Sequence, residues 1–445
     1  KAACGLADPN AVWGMTQAAP ELVHWLLKLG VKFNMSGYDD VDLRNFGGQK
    51  KKRTAFAQSD TGKQIMTAMI DAVRRKEASG MVERFSHHSF LTLRLCGNIC
   101  CGCVIRDEYS QETVELPGDA VIVATGGMHG LFGNTTGSLS NTGEVTAELF
   151  RLGVPLANGE MIQYHPTTVK CGGKRMLISE AARGEGGRLF AMKDGKQWYF
   201  MEEKYPELGN LMPRDITARE IWKVSHESEV FLDMTEISEE IISNKLSGLA
   251  DDCMTYLHKD IRKEPVSVLP GIHYFMGGIL VDEQHRTPIQ NLYAAGECCA
   301  QYHGANRLGG NSLLGALYGG RVAAKSACEQ ADVVDLSCAT QIDFPPASQI
   351  SEIKQLNKVM QETMGVVRNE NTLLNGIQTV QALTGNLPLL GMAVLKSALA
   401  RKESRGAHWR EDYPKSNDND YLKTTVARFD GKQIQISFVP VPERR

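Results

Sequence analysis

The stretch Asn291–Arg321, NLYAAGECCAQYHGANRLGGNSLLGALYGGR, constrains the fold most. It starts as a short apolar run and breaks at Gly296 and Glu297. A polar loop with His303, Asn306 and Arg307 follows, and then Gly309-Gly310. From Leu313 onward Leu314, Ala316, Leu317 and Tyr318 recur at helical spacing. The order is buried strand, glycine-rich loop, helix. The paired glycines let backbone approach a ligand closely, and Asn311 or Ser312 is placed to cap the helix. Free N–H groups at a helix start suit an anion or an electron-rich ring. Arg307 offers a fixed fork for a carboxylate. A second apolar run, Asp119–Gly127 (DAVIVATGG), reads as a buried parallel strand ending in a ligand-contacting turn at Thr125 and Gly126.

With 445 residues, 42% of them hydrophobic, the chain can hold two or more domains with a substantial core. A net charge of -3 gives no electrostatic case for nucleic acid. No stretch approaches the ~20 apolar residues that span a bilayer, so there is no direct membrane insertion and any attachment comes through a partner. The densest of the 11 cysteines, Cys96, Cys100, Cys101 and Cys103, match no zinc or iron–sulfur spacing. They lie between FLTLRL and CVIRD and read as a β-hairpin turning at Gly97-Asn98. The scatter of thiols favours a reducing, cytoplasmic compartment. No G-x-G-x-x-G turn occurs before Asp60, so the first βαβ unit of a dinucleotide-binding domain is expected to precede residue 1.

Periodicity and caps place the other elements. A helix is expected over Ala7–Lys32, opened by Asp8-Pro9, stopped by Gly30, and buried through Val12, Met15, Ala19, Leu22, Trp25 and Leu26. A second is expected over Lys63–Lys76, capped by Asp60, with Ile65, Met66, Met69 and Val73 inward. Phe46-Gly47-Gly48 is either a plain glycine turn with one buried aromatic or part of a pocket. The charges of Lys50–Arg53 read as a solvated loop. His165, before Pro166, is held extended. Glu180 and Arg183 share a face of one helical turn and pair either as a surface ion pair or as a proton relay. Pro213 starts a helix, with Arg214 in its first turn, Asp215 as an N-terminal charge and Arg219 structural. Pro270-Gly271 is expected to turn the chain ahead of His273. Residues 331–348 read as a loop-rich bridge, followed by helices and a hairpin turning at Asp430-Gly431.

Several of these strings occur in a fixed order: FGG, QYHPT, ISEAARGEGG, PRD, PGIHYFMGG, YAAGE…HGANRLGGNSLL…GR and SRGAH. Together they resemble the flavoprotein subunit of the succinate dehydrogenase and fumarate reductase family, of which L-aspartate oxidase is a close relative. The resemblance implies an α/β fold: a doubly wound FAD-binding domain interrupted by an α+β capping domain, then a helical domain and a short C-terminal segment. The corresponding spans are 1–159 and 270–335 for the FAD-binding domain, 160–269 for the cap, 345–403 for the helices and 404–445 for the C-terminal segment.

It also implies FAD as cofactor and interconversion of fumarate and succinate, with hydride passing from flavin N5 to one alkene carbon. Arg214 would then protonate the adjacent carbon, with Glu180 and Arg183 relaying protons. His165, Ser179, His273 and Arg307 would hold a small dicarboxylate, and Phe46 would line its pocket. Carried-over cofactor contacts are Glu297, Ser312, Leu313, Gly47, Thr125, Gly126 and Glu144, the last standing where the family usually has Asp. Side-chain chemistry alone would make Arg214 an electrostatic clamp, because a guanidinium barely deprotonates; its acid role comes from the resemblance. An iron–sulfur subunit or another electron-transfer partner is implied. Alternatives are L-aspartate oxidase, a reductase of another unsaturated carboxylic acid, and a non-catalytic subunit. RLGG and the segment after SRGAH look more like the dehydrogenase and reductase branch.

Overall fold

A computed structural model of the chain describes residues 2–37, 40–49, 51–138, 140–331, 342, 344 and 349–444. Lys50 of the charge run and most of the bridge after residue 331 lie outside the described residues.

The apolar run at Val121–Val123 pairs in parallel with Leu292–Ala294, as the two sequence signals require. Helix Asn311–Gln330 packs back on this pair through Gly315, Gly319, Ala323 and Ser326. Small residues at this spacing bring the helix close: a Cβ on Gly319 would lie 2.7 Å from the His285 ring. The expected full burial does not hold, because Ile122 is 40% exposed and Ala124 and Thr125 are exposed. One face of the pair carries no covering element among the described residues. A second sheet joins distant parts of the chain. Gly278–Leu280 runs parallel to Cys299–Ala300 and antiparallel to Leu156–Ala157, which pairs with the hairpin Lys423–Phe429/Ile434–Pro440.

A separate core, from Ile178 to Val268, surrounds the antiparallel strands Lys196–Trp198, Arg188–Lys193, Val230–Asp233 and Val266–Ser267. The helices Ile350–Thr363, Glu370–Val380 and Asn386–Ala400 build no core of their own. Leu356, Met360, Leu390 and Leu395 share one with Met128, Leu131, Phe132 and Phe150.

Helix Pro9–Lys28 is capped by Asp8, whose carboxylate accepts from the Asn10 and Ala11 N–H groups. Trp25 faces outward, because burial on this helix is confined to Ala11, Met15, Leu22 and Leu26. Helix Thr61–Ala78 buries only Ile65 and Ala68; Met66 and Val73, expected inside, are exposed. The Asp60 side chain makes no cap bond there. Thr61 Oγ1 instead accepts from the Ala57 N–H at 3.0 Å.

The cysteine hairpin forms as read, His88–Cys96 against Ile99–Asp107 with Gly97 at φ 61°, and Thr113–Pro117 adds a third strand. Among the described residues no group of three His, Cys, Asp or Glu could hold a metal. Cys96 is disulfide-bonded. No described helix is long and apolar enough to cross a membrane.

Candidate functional site

The site is built on one irregular strand pair, Ile162–Cys171 against Leu269–Phe275. Pro270-Gly271 was expected to turn the chain but lies inside the second strand. There Gly271 pairs with His165 and Leu269 with Thr168, so Pro166 and Thr167 together oppose Pro270. One step on, Ile272 pairs with Tyr164, and then Tyr274 pairs with Gln163, leaving His273 as an extra residue. Bulges re-aim side chains. These two bring the His165 and His273 rings to 5.2 Å, edge to face.

Both rings are held. His273 Nδ1 lies 2.7 Å from Thr136 Oγ1, and His165 Nδ1 lies 3.1 Å from the Thr167 carbonyl. Burial first, then the Arg214 charge, pushes His165 well below its ordinary pKa. Burial, then His165 and Arg307, does the same to His273. Both are therefore neutral rings that offer hydrogen bonds rather than charges.

Residues from the second core face them. Ser179 caps the turn Glu180–Gly184 by accepting from the Ala181 N–H at 3.2 Å, which leaves its own O–H free to donate. Glu180 and Arg183 pair at 3.0 Å with both side chains buried, so the surface-pair reading fails. Arg214 opens helix Arg214–Val224, with Pro213 as the residue just before it. Arg214 Nη2 donates to Glu180 Oε2 at 2.6 Å, so Glu180 lies between two guanidinium groups. Burial opposes its charge, but Arg214 and Arg183 together outweigh that and hold the carboxyl at about 2.

The last component is Arg307. It is buried, with its guanidinium 4.2 Å over the Tyr274 ring, and its Nε has no hydrogen-bond partner. Burial and then the Arg214 charge push it down to about 9. Arg183, Arg214 and Arg307 stand against the carboxylates Glu180 and Glu297, an excess of positive charge that suits a small anion.

Phe46 and Gly47 close over this cluster. A Cβ on Gly47 would lie 2.5 Å from Glu180 Oε1, and one on Gly309 2.7 Å from Glu180 Oε2 and 2.6 Å from the Phe46 ring. Gln49 clips the two loops together, accepting from the Phe46 N–H at 3.0 Å and donating to the Gly309 carbonyl at 3.2 Å.

The remaining expected residues lie elsewhere. Thr125 and Gly126, at φ 75°, follow the open parallel strand. Glu297 Oε1 accepts from the Phe275 N–H at 3.0 Å and is 3.6 Å from His129 Nε2. Gly310, at φ 83°, precedes helix Asn311–Gln330, which has no side-chain cap; the expected capping by Asn311 or Ser312 does not occur. Ser312 is half-buried and Leu313 partly exposed in its first turn. Glu144 is exposed at the start of helix Glu144–Arg151, near Arg106 and Glu108. Exposed strand ends, left-handed glycines and an uncapped helix start fit a dinucleotide cofactor.

Sequence reasoning missed Gln163, Thr136 and Tyr274. Gln163 accepts from Arg214 Nη1 at 3.0 Å and donates to Asn306 Oδ1 at 3.1 Å and to the Arg307 carbonyl at 2.8 Å. Its spacing of two from His165 was a usable signal, since alternate strand residues share a face. Thr136 carried none, being 137 positions from His273. The SRGAH string backs the Arg307 loop: the Ala407 N–H donates to the Ala305 carbonyl at 2.8 Å, and a Cβ on Gly406 would collide with that same carbonyl.

A family model described as FAD binding domain matches residues 1–313, and one described as Fumarate reductase flavoprotein C-term matches residues 383–444. The chain is 35% identical to the succinate dehydrogenase flavoprotein subunit of Bacillus subtilis, covering 99% of this chain and 86% of that one. It is 31% identical to the 8-methylmenaquinol:fumarate reductase flavoprotein subunit of Wolinella succinogenes (99% and 80%). It is 32% identical to the L-aspartate oxidase of Pyrococcus furiosus (95% and 84%). A solved structure of the E. coli quinol fumarate reductase superposes with a TM-score of 0.88 at 26% identity, covering 99% of this chain and 86% of that one.

Proposed function

Because the chain belongs to the FAD-dependent flavoprotein subunits of the succinate dehydrogenase and fumarate reductase family, we propose that it interconverts fumarate and succinate beside Arg214 and Arg307. The observation that carries this reading is the buried Arg307 with an unpaired Nε, in a cluster with positive charge in excess and two neutral histidines. A small dianion satisfies all of these at once. FAD, when bound, supplies or accepts the hydride. Thr125, Gly126, Glu297, Ser312 and Leu313 would hold it.

The chain's own residues do the rest. Arg307, His165, His273 and the Ser179 hydroxyl donate to the carboxylates and fix the alkene, with Phe46 closing the pocket. In reduction Arg214 gives a proton to the carbon beside the one that takes the hydride; in oxidation it accepts that proton. Glu180, ionised above about 2 and touching both Arg214 and Arg183, returns the proton along the chain Arg183–Glu180–Arg214.

We read residues 160–269, which contain the second core, as the cap over a doubly wound FAD-binding domain formed by 1–159 and 270–335. The helices of 345–403 and the segment 404–445 complete it. The chain's relatives are named as subunits, which supports an electron-transfer partner, and membrane attachment would run through that partner from a cytoplasmic face.

The test is reduction of fumarate by a reduced viologen dye with the FAD-loaded protein. Turnover supports the reading. The 32% identity to an L-aspartate oxidase supports a second reading. Peroxide released from aspartate without fumarate turnover would put that reading first.

A further inference from the structure

We propose that Asn306 and Asp215 are positioning residues that keep the acid–base arginine in register with the carboxylate-binding arginine; this rests on the fumarate–succinate reading above. Each is the chain neighbour of one of those arginines, Asn306 of Arg307 and Asp215 of Arg214. Asn306 Nδ2 donates to Asp215 Oδ1 at 3.0 Å, while its Oδ1 accepts from Gln163 Nε2 at 3.1 Å. Gln163 in turn accepts from Arg214 Nη1 at 3.0 Å. The bonds close a ring: Arg214, Gln163, Asn306, Asp215, and back along the chain to Arg214. A second attachment lies on the other side of Asp215. Arg219 is 3.9 Å from its carboxylate, and the Arg219 guanidinium lies 4.1 Å over the Trp409 ring.

The ring adds a side-chain link between helix and loop to the one Gln163 already makes from Arg214 to the Arg307 carbonyl. Gln163 is on the bulged strand, Asp215 on the helix that carries Arg214, and Asn306 on the loop that carries Arg307. Sliding of that helix along the loop would change the spacing of the two arginines. Proton transfer depends steeply on such spacing, since a misplacement of about 1 Å costs roughly 10²-fold. The Asn306 amide also fixes direction, because its oxygen must face Gln163 and its NH₂ must face Asp215.

The experiment measures fumarate reduction and fumarate binding by the FAD-loaded protein and by Asn306→Ala, Asp215→Ala and the double variant. Each single change is expected to lower kcat by roughly 10–100-fold while KM and the binding constant move little. The double variant is expected to be no worse than the weaker single one, because the pair acts as a unit. The solvent deuterium effect on kcat should rise in the single variants as proton transfer becomes limiting. Two isosteric changes carry the test if an alanine variant loses FAD. Asp215→Asn keeps an oxygen for the amide and should recover most of the rate. Asn306→Asp sets two carboxylates face to face and should not. Unchanged kcat in these variants, or losses that multiply in the double variant, would overturn the inference. Absence of turnover in the unmodified protein would remove the proposed reaction and this inference with it.

Discussion

Glu180 shows how far single residues determine the chemistry. Its ordinary carboxyl value of 4.5 falls to about 2 in the fold. A depressed carboxyl contributes stability that is complete above its unfolded value and is lost as pH falls through the folded one. The stability difference between the native chain and Glu180→Gln is therefore expected to shrink as pH drops from about 4.5 toward about 2. Denaturant melts across that window measure it, and a constant difference would show that Glu180 is not ionised in the fold. Gly309 is the second case. An added methyl would press on both Phe46 and Glu180, so Gly309→Ala should cost ~1–3 kcal/mol and lower fumarate turnover. Thermal unfolding and kcat read both effects. Glu180, Arg183, Arg214, His165, His273 and Arg307 were legible because each sits in a distinctive local string. Thr136 was not, since its importance comes from a partner 137 positions away, while Gln163 was passed over although it stands in the same string as His165.

At the scale of elements, the two bulges do what regular strands could not. An ideal ladder would alternate His165 and His273 out of reach; one extra residue on each strand turns both rings into the same space. Thr136 fixes the second ring from the adjoining loop. Thr136→Val is expected to raise the KM for fumarate by about 10-fold, the order of one lost hydrogen bond, with a smaller change in kcat, and Thr136→Ser should restore it. Equal loss of kcat and unchanged KM would assign Thr136 to transition-state alignment instead. Helix existence and direction could be read from periodicity, as Pro9–Lys28 and Asn311–Gln330 show. The width of a buried face could not. Met66 and Val73 follow the helical period of Thr61–Ala78 but lie outside the strip that Ile65 and Ala68 bury. The misread turn at Pro270-Gly271 has a similar cause: its conformation depends on the bulge opposite it, at Pro166-Thr167.

Across the whole molecule, a buried ion network holds distant segments together. Arg401 binds Glu160 at 2.7 Å and Glu403 at 2.8 Å, with all three side chains fully buried. Arg405 continues the network from Glu403 at 2.8 Å, and its Nη1 donates to the Cys4 carbonyl at 3.0 Å. Breaking one member strands a buried charge, so Arg401→Ala is expected to cost ~3–5 kcal/mol. Chemical denaturation checks this; a loss under ~1 kcal/mol would show that water reaches Glu160. SRGAH was legible as a family string, but its place behind Ala305 and the Arg307 loop became visible only with the fold.

The central claim is that Arg214 moves the proton, and it is tested most directly by fumarate reduction with FAD-loaded Arg214→Ala. The expected result is a fall in kcat of roughly 10²–10⁴-fold with the flavin spectrum and fumarate binding retained. A kcat equal to that of the native chain would contradict it.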